Sequence, residues 1–212
     1  MSRERILERV RSRCRALAAR KPIAPERATP ARGPLPRRPD DLVDAFRAKA
    51  RALASTVIGP VDAGKAPETV AMWLTETNLG KRAVIWPELA GMNWRTAGID
   101  VEAREALGTD LVGITGAFCA VAETGTLVLL SGATTPATVS LLPETHVALV
   151  PLKRVVAYME DAFDLLRRER GGPPRAINLV SGPSRTADVE QTVTLGAHGP
   201  YRVAVILVRG DP

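Results

Sequence analysis

A carboxylate, Glu123, stands beside Thr124 and Gly125 at the entrance of an apolar run, Thr126 to Leu130, in the stretch FCAVAETGTLVLLSG. An acid so placed either accepts backbone amides and fixes a tight turn, or faces a pocket as a ligand or catalytic group. Gly125 supplies backbone freedom or close approach, and Thr124 and Thr126 add hydroxyls. Three strand ends elsewhere carry polar, glycine-containing turns. Thr115-Gly116 follows the run 110 to 114, and Ser131-Gly132 follows 126 to 130. The loop SGPSRTADVEQT follows 176 to 180 and brings Ser181, Gly182, Ser184, Arg185 and Thr186. Amides freed by glycine, hydroxyls and one guanidinium make an anion-binding nest. Arg185 offers a two-pronged contact to a carboxylate or phosphate. These loops are expected to converge, with Glu123, Ser131 and Arg185 lining one cleft.

Ser184, Asp188 and His198 follow the chain order of a serine-hydrolase triad. The elbow Gly-x-Ser-x-Gly is not met, because Thr186 replaces its second glycine. His198 falls in GAHGP, a turn into the last strand, and joins the candidate ligand loop instead. Asp188 with Gln191 reads as the cap of a short helix. His146 reads as a strand-end residue with a backbone partner. The two histidines and the scattered acids show no metal-ligand spacing, so no metal site is expected. Neither the dinucleotide Gly-x-Gly-x-x-Gly nor a P-loop occurs, and no resident cofactor is expected. Cys14 and Cys119 are too few for a disulfide framework or for a cluster held by cysteines alone. They fit a reducing cytoplasm, and Cys119, between Phe118 and Ala120, reads as a small buried apolar residue.

Strands and helices must position these turns. Hydrophobic residues make up 45% of the 212 and aromatics only 4%, so Val, Leu, Ile and Ala build the core. Strands are expected at Val57 to Val61, Arg82 to Trp86, Asp110 to Thr115, Thr126 to Leu130, His146 to Val150, Ala176 to Val180 and Arg202 to Val208. Helices are expected from Asp40, as cap, through Leu53, from Pro67 to Asn78, and from Lys153 to Arg168 with Val155, Val156, Met159, Phe163 and Leu166 inward. Continuous apolar strands are covered on both faces, and interleaved helices supply the cover. The pattern predicts a three-layer α/β domain with a largely parallel sheet, over residues 40 to 212. Ligands gather outside the carboxyl ends of such strands.

Ahead of it lies a basic arm, residues 1 to 39. Residues 1 to 40 hold 12 Arg and Lys against 4 acids, whereas the remainder is slightly acidic. Ile6, Leu7, Val10, Cys14 and Leu17 share one face of an amphipathic helix over 3 to 20. Prolines at 22, 25, 30, 34, 36 and 39 make the following linker extended. The arm has no aromatic for base stacking, which argues against nucleic acid. Its stripe needs its own body or a second chain, so a homo-oligomer through this helix is one expectation. No run of about 18 apolar residues exists to span a membrane.

GITGAFCAVAETGTLVLLSG, SLLPETHVALVP and SGPSRTADVEQTVTLGAHGP, in this order, resemble the lactate utilisation protein C family, the LUD domain. The resemblance covers roughly residues 40 to 210. It implies a fold related to the sugar-phosphate isomerase and CoA-transferase superfamily. It also implies a role in oxidising L-lactate to pyruvate beside two iron–sulfur partner proteins, which would carry the clusters. In the CoA-transferase branch a glutamate beside a glycine is the nucleophile, and Glu123-Thr124-Gly125 is similar in type. Two readings therefore stand: a lactate-utilisation subunit binding a small carboxylate or phosphate, or a stand-alone enzyme acting on an acyl-CoA or sugar phosphate through Glu123.

Overall fold

The computed structural model describes residues 3–18, 33–186, 194–196 and 198–212, and its chain divides into two compact units, 1–35 and 36–212. The first contributes one helix, α1 (Arg3–Ala18), on which Ile6, Leu7 and Val10 are exposed. Most of the expected proline linker, and Asp188 and Gln191, lie outside the described residues. Among those described, no helix is long and apolar enough to cross a membrane.

The second unit is α/β. Its strands in chain order are β1 (Thr56–Asp62), β2 (Arg82–Ile85), β3 (Asp100–Ala103), β4 (Val112–Gly116), β5 (Cys119–Val121) and β6 (Thr126–Leu130), followed by β7 (Thr145–Pro151), β8 (Val155–Val156), β9 (Ile177–Val180), β10 (Arg185–Thr186), β11 (Thr194–Leu195) and β12 (Arg202–Arg209). Six of them form a parallel sheet in the order β1-β12-β7-β4-β2-β3. Helices α2 (Leu42–Ala52) and α3 (Ala66–Glu76) join its core through Phe46, Ala50, Val70 and Leu74. A short α4 (Thr138–Leu141) leads into β7. Leu149, Ile206 and Leu207 are fully buried, each worth about 1.5–3 kcal/mol against exposure.

The runs 126–130 and 176–180 do not join the parallel sheet. They form a second sheet in the order β8-β5-β6-β9, where β6 is antiparallel to both β5 and β9. Alternation explains its unbroken hydrophobicity. Leu127 and Leu129 of β6 enter the main core, while Val128 and Leu130 meet α5 (Met159–Arg170) through Ala162 and Leu166. Covered on both faces, the strand has no need of a polar side. Cys119 shares this smaller core, and burial pushes its thiol up to about 12.

Three expectations about the elements are corrected. Asp41, not Asp40, caps α2, accepting from the Val43 and Asp44 amides at 2.8 and 2.9 Å. The helix expected from Lys153 begins at Met159, because Val155 and Val156 pair with β5 instead. Phe163, expected inward, is exposed. The strands β3 and β5 escaped the sequence reading: β3 is a half-exposed edge strand of four residues and β5 has only three.

Candidate functional site

The carboxyl ends of β2, β4, β7 and β12 open on a cleft of about 680 Å³. Its floor includes Gly116, the last residue of β4. On one side Trp86 is held by its amide to the Ile114 carbonyl at 3.1 Å and by its indole N–H to the Pro136 carbonyl at 3.0 Å. That fixes the short turn Pro87–Leu89, which presents Glu88. A Cβ on Gly116 would stand 3.4 Å from Glu88 Oε1, so this carboxylate lies over the glycine. Loss of water raises the Glu88 pKa, and the Arg170 cation acts the other way.

The opposite side is cationic. Arg154 pairs with Glu169 at 2.7 Å and lies 5.5 Å from the Phe118 ring centroid, a cation–π distance. Arg170, the last residue of α5, makes no ion pair among the described residues, so its guanidinium is open to an anion. The turn after β6 closes the cleft. Ser131 Oγ accepts the Ala176 amide at 2.8 Å, which leaves its own hydrogen to donate. Gly132 and Thr135 exchange two amide–carbonyl bonds of 3.2 Å, so the Gly132 amide is already engaged.

Gly116, Ser131 and Gly132 are thus the sequence-selected residues that reach this cleft. Glu123 does not. It lies beyond the opposite end of β6, and the stretch from Thr126 to Ser131 alone spans roughly 16 Å at the rise of an extended strand. Its amide donates to the Ala157 carbonyl at 3.1 Å, and no hydrogen bond or ion pair among the described residues reaches its carboxylate. Thr124, Thr126 and Ser181 form a hydroxyl chain of 2.7 and 2.8 Å beside it. Gly125 and Gly182 pack on α2: a Cβ at Gly182 would stand 2.2 Å from the Leu53 carbonyl oxygen.

The remaining candidates lie elsewhere. Thr115 points into the core, where its hydroxyl meets His146 Nε2 at 2.8 Å. His146 therefore has a side-chain partner rather than the expected backbone one, and its buried Nδ1 has none among the described residues. Ser184 bonds through its backbone to Pro200 and Gly196. Arg185 and Thr186 pair with Leu195 and Thr194 in a two-stranded ribbon, and His198 is exposed. The expected convergence of Glu123, Ser131 and Arg185 fails, since the chain enters β6 at one end of the second sheet and leaves at the other.

Sequence reasoning missed Glu88, Arg154 and Arg170. The strand-end rule would have reached Glu88, because Trp86-Pro87-Glu88 directly follows an apolar strand as Thr115-Gly116 does. Arg154 and Arg170 gave no such signal: one sits in a turn after β7, the other at a helix end 16 residues later.

A parallel α/β sheet with a polar cleft at its carboxyl edge defines the class of domain. The family model of the LUD domain matches residues 43–208, and the chain belongs to that family. It is 42% identical over 100 residues to Lactate utilization protein C of Bacillus subtilis (strain 168), covering 46% of this chain and 42% of the relative. It is 37% identical over 97 residues to the protein of the same name from Anoxybacillus flavithermus (strain DSM 21510 / WK1), covering 46% and 43%. These matches span less than half the length of the curated relatives. The crystal structure of a DUF162 family protein from Deinococcus radiodurans superposes with a TM-score of 0.60 at 27% identity, covering 82% of this chain and 99% of that one.

Proposed function

We propose that this protein serves lactate utilisation and that the cleft at the carboxyl ends of β2, β4, β7 and β12 holds the carboxylate of a small acid. The observation that carries the reading is Arg170, a guanidinium without an ion pair among the described residues, facing a cleft that also offers the Ser131 hydroxyl. Relatives named for lactate utilisation supply the substrate class. In this reading the protein acts in the cytoplasm beside iron–sulfur partner proteins. Oxidising L-lactate to pyruvate releases two electrons and two protons, and the partners' clusters take the electrons. This chain has two cysteines, one of them buried, so it supplies no cluster from cysteines alone. We place the ligand in the cleft rather than at Glu123, because the cleft joins an open cation to a donor hydroxyl.

Titration calorimetry with L-lactate tests it. The intact chain should bind, and Arg170→Met should weaken binding at least about tenfold, the loss of roughly 1.4 kcal/mol or more. No binding, or equal affinity in the variant, overturns the proposal.

A further inference from the structure

Glu88 is a carboxylate whose acceptors are unfilled. It is held at the mouth of the cleft by the doubly anchored Trp86, and its Oε1 lies over Gly116. No hydrogen bond among the described residues reaches it, although neighbouring protein displaces enough water to raise its pKa. A partly dehydrated carboxylate without a donor costs free energy until one arrives. The Arg170 cation acts on it through charge, while Arg154 is already taken by Glu169. The cleft therefore presents an open cation and an open hydrogen-bond acceptor within one lining.

A simple carboxylate uses only half of that pair. Its negative charge goes to Arg170 and is repelled by Glu88, so Glu88 would weaken binding. An acid with a hydroxyl next to its carboxylate uses both groups. We infer that Glu88 reads the 2-position of the bound acid, accepting the hydrogen bond of a 2-hydroxyl while the acid's carboxylate lies toward Arg170. A 2-oxo acid offers a carbonyl oxygen at the same place, and two acceptors facing each other repel. Oxidation of the hydroxyl would thus remove the donor that Glu88 holds, and the product would leave more readily than the substrate. The absence of a side chain on Gly116 leaves the room this contact needs.

The inference rests on the cleft being the acid site, and the test separates the two claims. L-lactate, propionate and pyruvate are titrated into the intact protein and into Glu88→Gln, each checked for an unchanged melting temperature. Propionate lacks the hydroxyl, and pyruvate replaces it with a carbonyl. In the unaltered protein L-lactate should bind at least about tenfold more tightly than either. In Glu88→Gln the three should fall within about threefold, because an amide donates as well as accepts and carries no charge to repel a carboxylate. Propionate should bind the variant at least as well as the original. If all three bind the unaltered protein equally, or if the variant keeps the preference, Glu88 does not read the 2-position while the acid site stands. If none binds, both claims fall.

Discussion

A Cβ on Gly125 would stand 2.6 Å from the backbone nitrogen of Ala50, so the glycine after Glu123-Thr124 is the seat of helix α2. Gly182, far away in sequence, meets the carbonyl of Leu53 at the end of the same helix. Both adopt positive φ, +67° and +81°. Gly125→Ala and Gly182→Ala should each cost about 1–3 kcal/mol through overpacking and backbone strain. Calorimetric melting should show a drop of roughly 2–4 °C for every kcal/mol. Unchanged melting would mean that α2 does not press on these turns.

Glu123 itself has no such duty. Because no partner among the described residues reaches its carboxylate, Glu123→Gln should change stability by less than about 0.5 kcal/mol. L-lactate affinity should also be unchanged, because the residue lies at the far end of β6 from the cleft. Loss of affinity without loss of stability would move the site to Glu123.

His146 makes folding sensitive to acid. Burial lowers its pKa from 6.5 to about 4. Above pH 6.5 the ring is neutral in both states. Below it, the unfolded chain takes a proton that the folded chain refuses, so stability falls as the pH falls toward 4. The loss is on the order of 3 kcal/mol over that window. Urea unfolding near pH 7 and near pH 4.5 should show this drop in the unaltered protein and a smaller one in His146→Leu. Equal slopes would exclude His146 as the group responsible.

The boundary of the folded unit can be cut at two places. Tyr158 donates its hydroxyl to the Pro36 carbonyl at 2.6 Å. Removing residues 1–35 should leave the melting temperature unchanged, whereas removing 1–38 should cost about 1 kcal/mol with the loss of that bond. An unfolded 36–212 fragment would show that α1 is part of the fold.

The sequence announced the strands more clearly than their partners. β4 and β7 are buried throughout and β12 along its middle, because both faces are covered, and the same covering hid the fact that β6 belongs to a second sheet. Periodicity reports burial, not neighbours. Glycine was ambiguous for a related reason: at Gly125 and Gly182 it admits a helix, whereas at Gly116 it floors a cleft, and the turn sequences look alike. Arg170 was silent because its meaning depends on the end of α5 lining the same cleft as the turn after β2. That juxtaposition comes from the packing of α5 on the second sheet and not from any spacing along the chain.

Chemical-shift mapping of nitrogen-labelled protein during addition of L-lactate tests the central claim most directly. Saturable shifts should centre on the amides of Gly116, Ser131, Gly132 and Arg170, with little change at Glu123, Thr124 and Gly125. Shifts centred on Glu123 to Gly125, with the cleft amides still, would contradict the account.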